Sequence, residues 1–534
     1  MKRIINVIIL VFLLFINSAC NKETVTKNPE TTIPTTDVSE IVTANPFIPL
    51  DYNLPYFKIN STTYQMSETI DVEVFGEELN AFVGIFDSLS EPGKGIPRKK
   101  IKVSSAGTYT FDLKAMNLDA GEYAICLYQN RTFYNYCYQE IILKGEDKTD
   151  YQITDAKIDI IQNGKKTTTQ LTIFPSTADE LTYKLYWCKD GLRLSNYTEI
   201  KRIKIKDALD GFQINLNDNL IMPNEANELE IAIIEGESKS FYLQMDDTLK
   251  LAESEYVYNF QVLTDIHANN DNEAWTSHFS SALLDVKCLA GNTSGIFTVG
   301  DNTDMGSQTH YQHLFSMIDN VFTDEKPPMY FTVGNHDYMY FMESVGGFTQ
   351  AMNYFVDVTK MPNYYHAREV NGYKYIFLSS DEQTVAGSIY KEQMDWFKNE
   401  MKKVDKNQFA FVFLHQPLKD TTAGSLEDQD WYGVNNVAEE MKSVLADYPN
   451  VVLFTGHTHY SLDCYRASLL GHGENANFIH NGSVAYLWND EYIEIPGSHG
   501  NFIEVYKDYI VIMGRDFYKR KWVSGSQQVI YLYE

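Results

Sequence analysis

Val451-Val452-Leu453-Phe454-Thr455, followed by Gly456-His457-Thr458-His459, is a run of β-prone residues that stops at a glycine and two histidines. Four other runs upstream have the same form. Asn259-Phe260-Gln261-Val262-Leu263-Thr264 leads into Asp265-Ile266-His267, and Gly295-Ile296-Phe297-Thr298-Val299 into Gly300-Asp301-Asn302-Thr303-Asp304. Met329-Tyr330-Phe331-Thr332-Val333 leads into Gly334-Asn335-His336-Asp337, and Phe409-Ala410-Phe411-Val412-Phe413-Leu414 into His415-Gln416-Pro417. In α/β sheets, sites open outside the carboxyl ends of the strands, so these endings can converge on one place. Stretches of helical period lie between the runs. From Tyr390 to Val404, Met394, Phe397 and Met401 fall at i, i+3 and i+7. The expected fold of residues 256–534 is therefore α/β, with β-sheets sandwiched by helices.

The residue types at these endings suit metal ions. In an extended segment, Asp265 and His267 project to one side, as do His457 and His459, so each pair can chelate. The glycines at 300, 334 and 456 allow sharp turns and close backbone approach. Carboxylates, imidazoles and one amide oxygen, without thiolates, suit Mn, Fe or Zn. Asp265, His267, Asp301, Asn335, His415, His457 and His459 are too many for one tetrahedral ion but suit two ions sharing a carboxylate. Two ions about 3.5–4 Å apart are the usual apparatus for in-line displacement at phosphorus. All 12 histidines lie at or beyond His267, so the first 266 residues hold no imidazole.

The ordered set D-x-H, G-D-x-x-D, G-N-H-D, H-x-P and G-H-x-H resembles the calcineurin-like metallophosphoesterase superfamily, over about residues 256–515. The resemblance implies a binuclear metallophosphoesterase acting on a phosphate mono- or diester. It implies that Asp265, His267 and His459 bind one divalent ion, that Asn335, His415 and His457 bind another, and that Asp301 bridges them. A bridging hydroxide would attack phosphorus. His336 would hydrogen-bond the phosphoryl oxygen or protonate the leaving oxygen, and Asp304 would orient its ring. Met305-Gly306 and Asp337 depart from the protein Ser/Thr phosphatase pattern, which has Arg-Gly and Glu there. Asp304 stands where purple acid phosphatases carry a metal-binding Tyr. What remains resembles the broad bacterial group of phosphodiesterases, nucleotidases and exported enzymes.

Upstream the texture differs. Thr69–Val74, Ala81–Phe86 and Gly121–Cys126 alternate apolar and polar residues, with turn residues such as Glu91-Pro92-Gly93-Lys94-Gly95 between runs. Ala156–Ile161, Thr169–Phe174, Tyr183–Cys188 and Glu228–Ile234 are similar. Two immunoglobulin-like β-sandwich domains are expected, over 51–147 and 150–250. Residues 21–50, rich in Thr, Pro, Asn and Glu, read as a flexible linker. Residues 1–20 read as a lipoprotein signal peptide: Lys2 and Arg3, an apolar run from Ile4 to Ile16, then Asn17-Ser18-Ala19-Cys20. Lipidation of Cys20 would anchor the exported protein to a bacterial membrane. Asn17 stands where a lipobox usually has an aliphatic residue, and ordinary cleavage leaving a free Cys20 is the other reading. Cys126 and Cys137 flank Asn130-Arg131-Thr132. A turn centred on Arg131-Thr132 would set them opposite each other for a disulfide, and two unpaired buried thiols are the alternative.

The formal net charge of −28 argues against duplex nucleic acid, whose binding needs Lys and Arg. The 37 Tyr residues and the two β-domains carry an alternative function, a surface glycan-binding or adhesion lipoprotein with a secondary or inactive esterase domain. His278, His310, His313, His366, His472, His480 and His499 have no motif support and are expected mostly on surfaces or loops. Trp275 and Tyr338 are read either as cleft-lining or as packing residues. Asn481-Gly482-Ser483 is read as a turn behind the site. Asn501–Met513 and Lys521–Tyr533 are expected to form edge strands.

Overall fold

The computed structural model describes residues 54–534 except 78, 133, 146–148, 342–346 and 430–432. The signal, Cys20 and the 21–50 linker lie outside the described residues.

Two mixed sheets form the centre of the C-terminal half. One has the order Met329–Tyr330, Ile296–Thr298, Tyr256–Leu263, His499–Tyr506, Tyr509–Asp516, Lys521–Trp522, with Gln528–Tyr531 also paired to Tyr509–Asp516. The other has the order His366–Val370, Tyr373–Phe377, Ala410–Phe413, Val451–Thr455, Asn477–His480, Ser468–Leu469. Four of the five ligand-bearing runs are continuous strands across which the period of two sorts side chains between layers. Phe260, Val262, Phe411, Phe413, Val452 and Phe454 meet in a core between the sheets. Leu263 faces a second core beneath helices Glu273–Leu289, Gln308–Val321 and Gly347–Thr359. Val412, Leu453, Met394, Phe397 and Met401 form a third, under helices Lys391–Met401 and Ala438–Leu445. This is an α/β arrangement of two mixed sheets with few helices. Asn501–Met513 is not one edge strand. It folds back at Lys507-Asp508 into two antiparallel strands, and the first lies inside the sheet beside Tyr256–Leu263. Its apolar residues face both layers, which only an interior position satisfies.

The N-terminal part is β-rich. Thr69–Phe75 alternates exposed and buried residues as a half-buried strand should. It sits in a three-stranded sheet that shares a core with a five-stranded sheet built around Gly121–Gln129 and Asn135–Lys144. A second pair of sheets, containing Lys166–Pro175 and Leu181–Lys189, closes over Leu171, Ile173, Tyr183, Leu185 and Trp187. Cys126 and Cys137 are both free and buried, not bridged. The turn is centred as expected, with Tyr128 opposite Asn135, but a bulge then shifts the register. Cys126 therefore faces Tyr138, and Leu127 faces Cys137. The two thiols fall on opposite faces of the hairpin, Cys126 against Tyr518 and Cys137 in the sandwich core.

Candidate metal centre

The five strand endings meet at one place, but not as extended backbone. Asp265, His267, Asp301, His457 and His459 all have positive φ, between 46° and 73°. Left-handed residues other than glycine cost about 1–3 kcal/mol each and persist only where surrounding structure holds them. Hydrogen bonds do so here. Asp265 N and His267 N donate to Gly300 O and Asp301 O, at 3.1 and 3.0 Å, which sets two ligand loops side by side. The paired projection of Asp265 with His267, and of His457 with His459, thus comes from this strained turn and not from pleated strand. The glycines permit the approach. A methyl group at Gly334 would stand 2.1 Å from Asp301 N, and one at Gly456 2.0 Å from Thr264 Oγ1.

Each buried carboxylate commits one oxygen to the scaffold and turns the other inward. Asp265 Oδ2 accepts from Thr264 Oγ1 at 2.7 Å and from His457 N at 2.9 Å. Its Oδ1 receives no hydrogen bond and lies 3.1 Å from His459 Nε2. Asp301 Oδ1 accepts from His336 N at 2.7 Å, and its Oδ2 lies 3.2 Å from His415 Nε2 and 3.7 Å from His267 Nε2. Backbone carbonyls fix the imidazoles. His459 Nδ1 donates to Tyr486 O at 3.2 Å and His415 Nδ1 to Val299 O at 2.6 Å, so in the neutral ring Nε2 is the lone-pair nitrogen. His267 Nε2 is 3.3 Å from His459 Nε2, and Asn335 Oδ1 is 3.2 Å from His415 Nε2. Asp265, His267 and His459 form one compact group, and Asp301, His415 and His457 another. Lone pairs facing lone pairs at these distances repel unless a proton or a metal cation lies among them, and a divalent ion serves several of them at once. The donor set, carboxylate and imidazole with one amide oxygen, fits divalent ions of the Mn, Fe or Zn kind.

Electrostatics shows the same demand for positive charge. Burial disfavours ionised Asp265, yet His459 and His415 hold its carboxyl well below the usual range, against the opposing charge of Asp301. Without a cation, burial would deprotonate His415, but Asp301 and Asp265 raise it to about 9. His457 is pushed down to about 3 by burial and by His415. Stripping divalent cations with a chelator is accordingly expected to lower the melting temperature. A ligand at a hundred times its Kd stabilises by about 2.7 kcal/mol. Each kcal/mol is worth about 2–4 °C in a domain of this size, so a fall of roughly 5–10 °C should appear in differential scanning fluorimetry. An unchanged melting curve would count against cations at this spot.

His336 and Asp304 lie beside the two groups. His336 Nδ1 donates to the Asp304 backbone carbonyl at 2.8 Å, while the Asp304 carboxylate stands 3.5 Å from both His336 Nδ1 and His267 Nδ1. Burial lowers the His336 pKa, but Asp301 and Asp304 outweigh it and raise it to about 9. The ring keeps 27% side-chain exposure, so it reaches the solvent side of the site.

Several residues support the site in ways the sequence did not indicate. Asp337 accepts from Gly334 N, Asn302 N and Nδ2, Thr303 N and Oγ1, and Tyr311 OH, tying two ligand loops together. Burial and the Asp301 charge still push its carboxyl up to about 6. Ser483 to Trp488 forms a strap behind the ligands. Val484 N and Ala485 N donate to Thr264 O and Asp265 O, each at 3.0 Å, and Trp488 N to His459 O at 2.9 Å. The Asn481-Gly482-Ser483 turn is the sequence signal that leads into it. Trp275 reaches the site edge, 5.5 Å from the His267 ring and stacked on Tyr486. Tyr338 is a packing residue, 1% exposed. None of the seven histidines without motif support is exposed, and His278, His366, His480 and His499 are buried. His278, for example, donates to Ala485 O at 2.8 Å and is part of the scaffold.

The family model for calcineurin-like phosphoesterase matches residues 258–461. A curated relative from Fibrobacter succinogenes, named as a probable cyclic nucleotide phosphodiesterase, is 29% identical over 161 residues. That match covers 30% of this chain, and the chain spans about half of the relative's length, 55%. Among solved structures, a purple acid phosphatase from yellow lupin seeds is similar at a TM-score of 0.38 and 10% identity, covering 87% of this chain and 94% of that one. A predicted phosphoesterase from Streptococcus pneumoniae is similar at a TM-score of 0.26 and 11% identity, covering 51% of this chain and 97% of that one.

Proposed function

We propose that this chain, whose residues 258–461 belong to the calcineurin-like phosphoesterase family, is a metal-dependent hydrolase of phosphate esters. The observation that carries the proposal is the facing of carboxylate oxygens and imidazole lone pairs from Asp265, His267, Asp301, Asn335, His415, His457 and His459. In our reading, Asp265, His267 and His459 hold one ion, Asn335, His415 and His457 the other, and Asp301 serves both. Two divalent ions held there would supply an activated water and offset charge on the phosphoryl oxygens. The chain's own residues do the rest. Asp301 keeps one oxygen on His336 N, which couples the ligand loop to the acid loop. His336 is anchored through its Nδ1 proton, and in the imidazolium form its Nε2 carries a second proton to donate to the substrate. Asp304 holds that ring through its carbonyl and shares its carboxylate with His267.

The experiment is hydrolysis of p-nitrophenyl phosphate and bis-p-nitrophenyl phosphate with Mn, Fe or Zn. Turnover of at least one substrate that depends on added metal is expected, and none on either would overturn the proposal. The name of the Fibrobacter relative puts diesters first among the substrates to test.

Export belongs to the same proposal and rests on the sequence from Lys2 to Cys20. In this reading the mature chain begins at a lipidated Cys20 and faces outside the cytoplasm. Wild-type protein expressed in a bacterium should enter the detergent phase of Triton X-114, and Cys20→Ser protein the aqueous phase. The same partition for both would refute the anchor. Among the described residues no helix is long and apolar enough to cross a membrane. We also read 51–147 and 150–250 as immunoglobulin-like sandwiches, supported by their alternating burial and paired sheets.

A further inference from the structure

The turn Glu91-Pro92-Gly93-Lys94-Gly95 lies in the first β-unit, with Gly93 and Lys94 exposed at its tip and its first two residues buried. Glu91 is 1% exposed and Pro92 is also buried. Glu91 reaches the phosphoesterase half of the chain. Glu91 Oε2 lies 3.5 Å from Nε2 of His278, on helix Glu273–Leu289. Glu91 Oε1 lies 2.8 Å from Lys94 Nζ, and Lys94 Nζ lies 3.0 Å from Glu494 Oε1. The same ammonium sits 5.8 Å from the centroid of the Tyr486 ring, within cation–π range. Burial disfavours charge on Glu91, but His278 and Lys94 outweigh it and hold the carboxyl below its usual range.

Each partner of this loop touches the strap behind the metal centre. His278 Nδ1 donates to Ala485 O at 2.8 Å, and Ala485 N donates to Asp265 O at 3.0 Å. Glu494 belongs to the short strand Glu494–Ile495, which pairs with Leu487–Trp488 in the strap itself. The Tyr486 ring packs 4.1 Å from the His459 ring, and the Tyr486 carbonyl accepts the His459 Nδ1 proton. The strap is thus held between two sets of contacts, ligands on one side and the Glu91–Lys94 loop on the other.

We propose that Glu91 and Lys94 are positioning residues for the metal centre, so that the first β-unit completes the hydrolase site. They act through the strap, which fixes the tautomer of His459 and the backbone of Asp265. The inference rests on the proposed function for its activity readout but not for its metal readout. Groups that orient metal ligands typically change metal affinity or activity by about 10- to 100-fold when removed.

The test uses the full chain with Co(II) as a spectroscopic probe. Co(II) affinity is read from visible absorption, beside kcat and KM on bis-p-nitrophenyl phosphate and melting temperature. Glu91→Gln and Lys94→Met are expected to weaken Co(II) binding and lower kcat by about 10- to 100-fold, with KM little changed. Lys94→Arg keeps the charge over Tyr486 and should restore most of the affinity. Asn135→Ala is the control for the interface at large, because Asn135 Nδ2 donates to the Tyr518 backbone carbonyl at 3.0 Å and to no strap residue, while the Tyr518 ring, 5.5 Å from His278, is left unaltered. It should bind Co(II) as the wild type does. Wild-type Co(II) affinity in both Glu91→Gln and Lys94→Met would overturn the proposal. So would an equal loss in Asn135→Ala, or no recovery in Lys94→Arg. A wild type that binds Co(II) but turns over no ester would overturn the proposed function and leave the metal readout to decide this one.

Discussion

Asp301→Asn is expected to lower kcat by about 10³-fold or more, because in the proposed reading it removes the charge of a shared ligand and forfeits several kcal/mol of charge stabilisation at the reacting phosphoryl group. The substitution preserves shape. The amide oxygen can still accept from His336 N, as Asp301 Oδ1 does at 2.7 Å. The change falls on the other atom. An NH2 group placed where Oδ2 stands, 3.2 Å from His415 Nε2, would donate to the imidazole lone pair and close the gap a cation needs. Elemental analysis should therefore find fewer than two metal ions per chain, with circular dichroism unchanged. A variant holding two ions and turning over at the wild-type rate would show that Asp301 is not the shared ligand.

The convergence of the candidate ligands was legible in the sequence because an apolar strand must end somewhere, and here each end carries lone-pair side chains. The residues that hold those ligands were less legible. Asp337 was visible as the last letter of G-N-H-D, but its six donors come from three segments and exist only once the loops meet. The left-handed backbone at Asp265, His267, Asp301, His457 and His459 could not be read either, since no glycine marks those positions. Spacing of i, i+2 suggested an extended strand, and strain supplied the same projection by another route.

Buried polar residues misled for one reason throughout. His278, His480 and His499 have no local motif, and their partners lie on other segments: Ala485 O, Tyr460 O and the Asp516 carboxylate. Glu91-Pro92-Gly93-Lys94-Gly95 has the composition of an exposed turn, and that composition is correct for its backbone. The burial of Glu91 at its start is decided by partners far along the chain, His278 among them. At the Cys126–Cys137 hairpin a single bulge decided between a disulfide and two unpaired buried thiols in favour of the thiols, because one inserted residue reverses which face every later side chain occupies.

His336→Ala is expected to separate two roles for that imidazole by leaving group. On an alkyl phosphate ester the departing oxygen is strongly basic and needs a proton, so loss of the acid should cost about 10²- to 10⁴-fold in kcat. On the p-nitrophenyl ester of the same phosphate the departing phenolate needs none. There the loss should shrink to what a charged hydrogen bond to a phosphoryl oxygen is worth, about 10- to 100-fold. An equal loss on both substrates would assign His336 to phosphoryl binding alone, and wild-type rates on both would remove it from the reaction. Asp304→Asn supplies the ordering within the pair. The variant keeps the backbone carbonyl that receives the His336 Nδ1 proton at 2.8 Å and alters only the carboxylate 3.5 Å away. Its effect should therefore be the smaller, about tenfold, as for other groups that orient a reacting residue through one contact. If Asp304→Asn proved more damaging than His336→Ala on the alkyl ester, the carboxylate's main duty would lie instead with its other neighbour, His267.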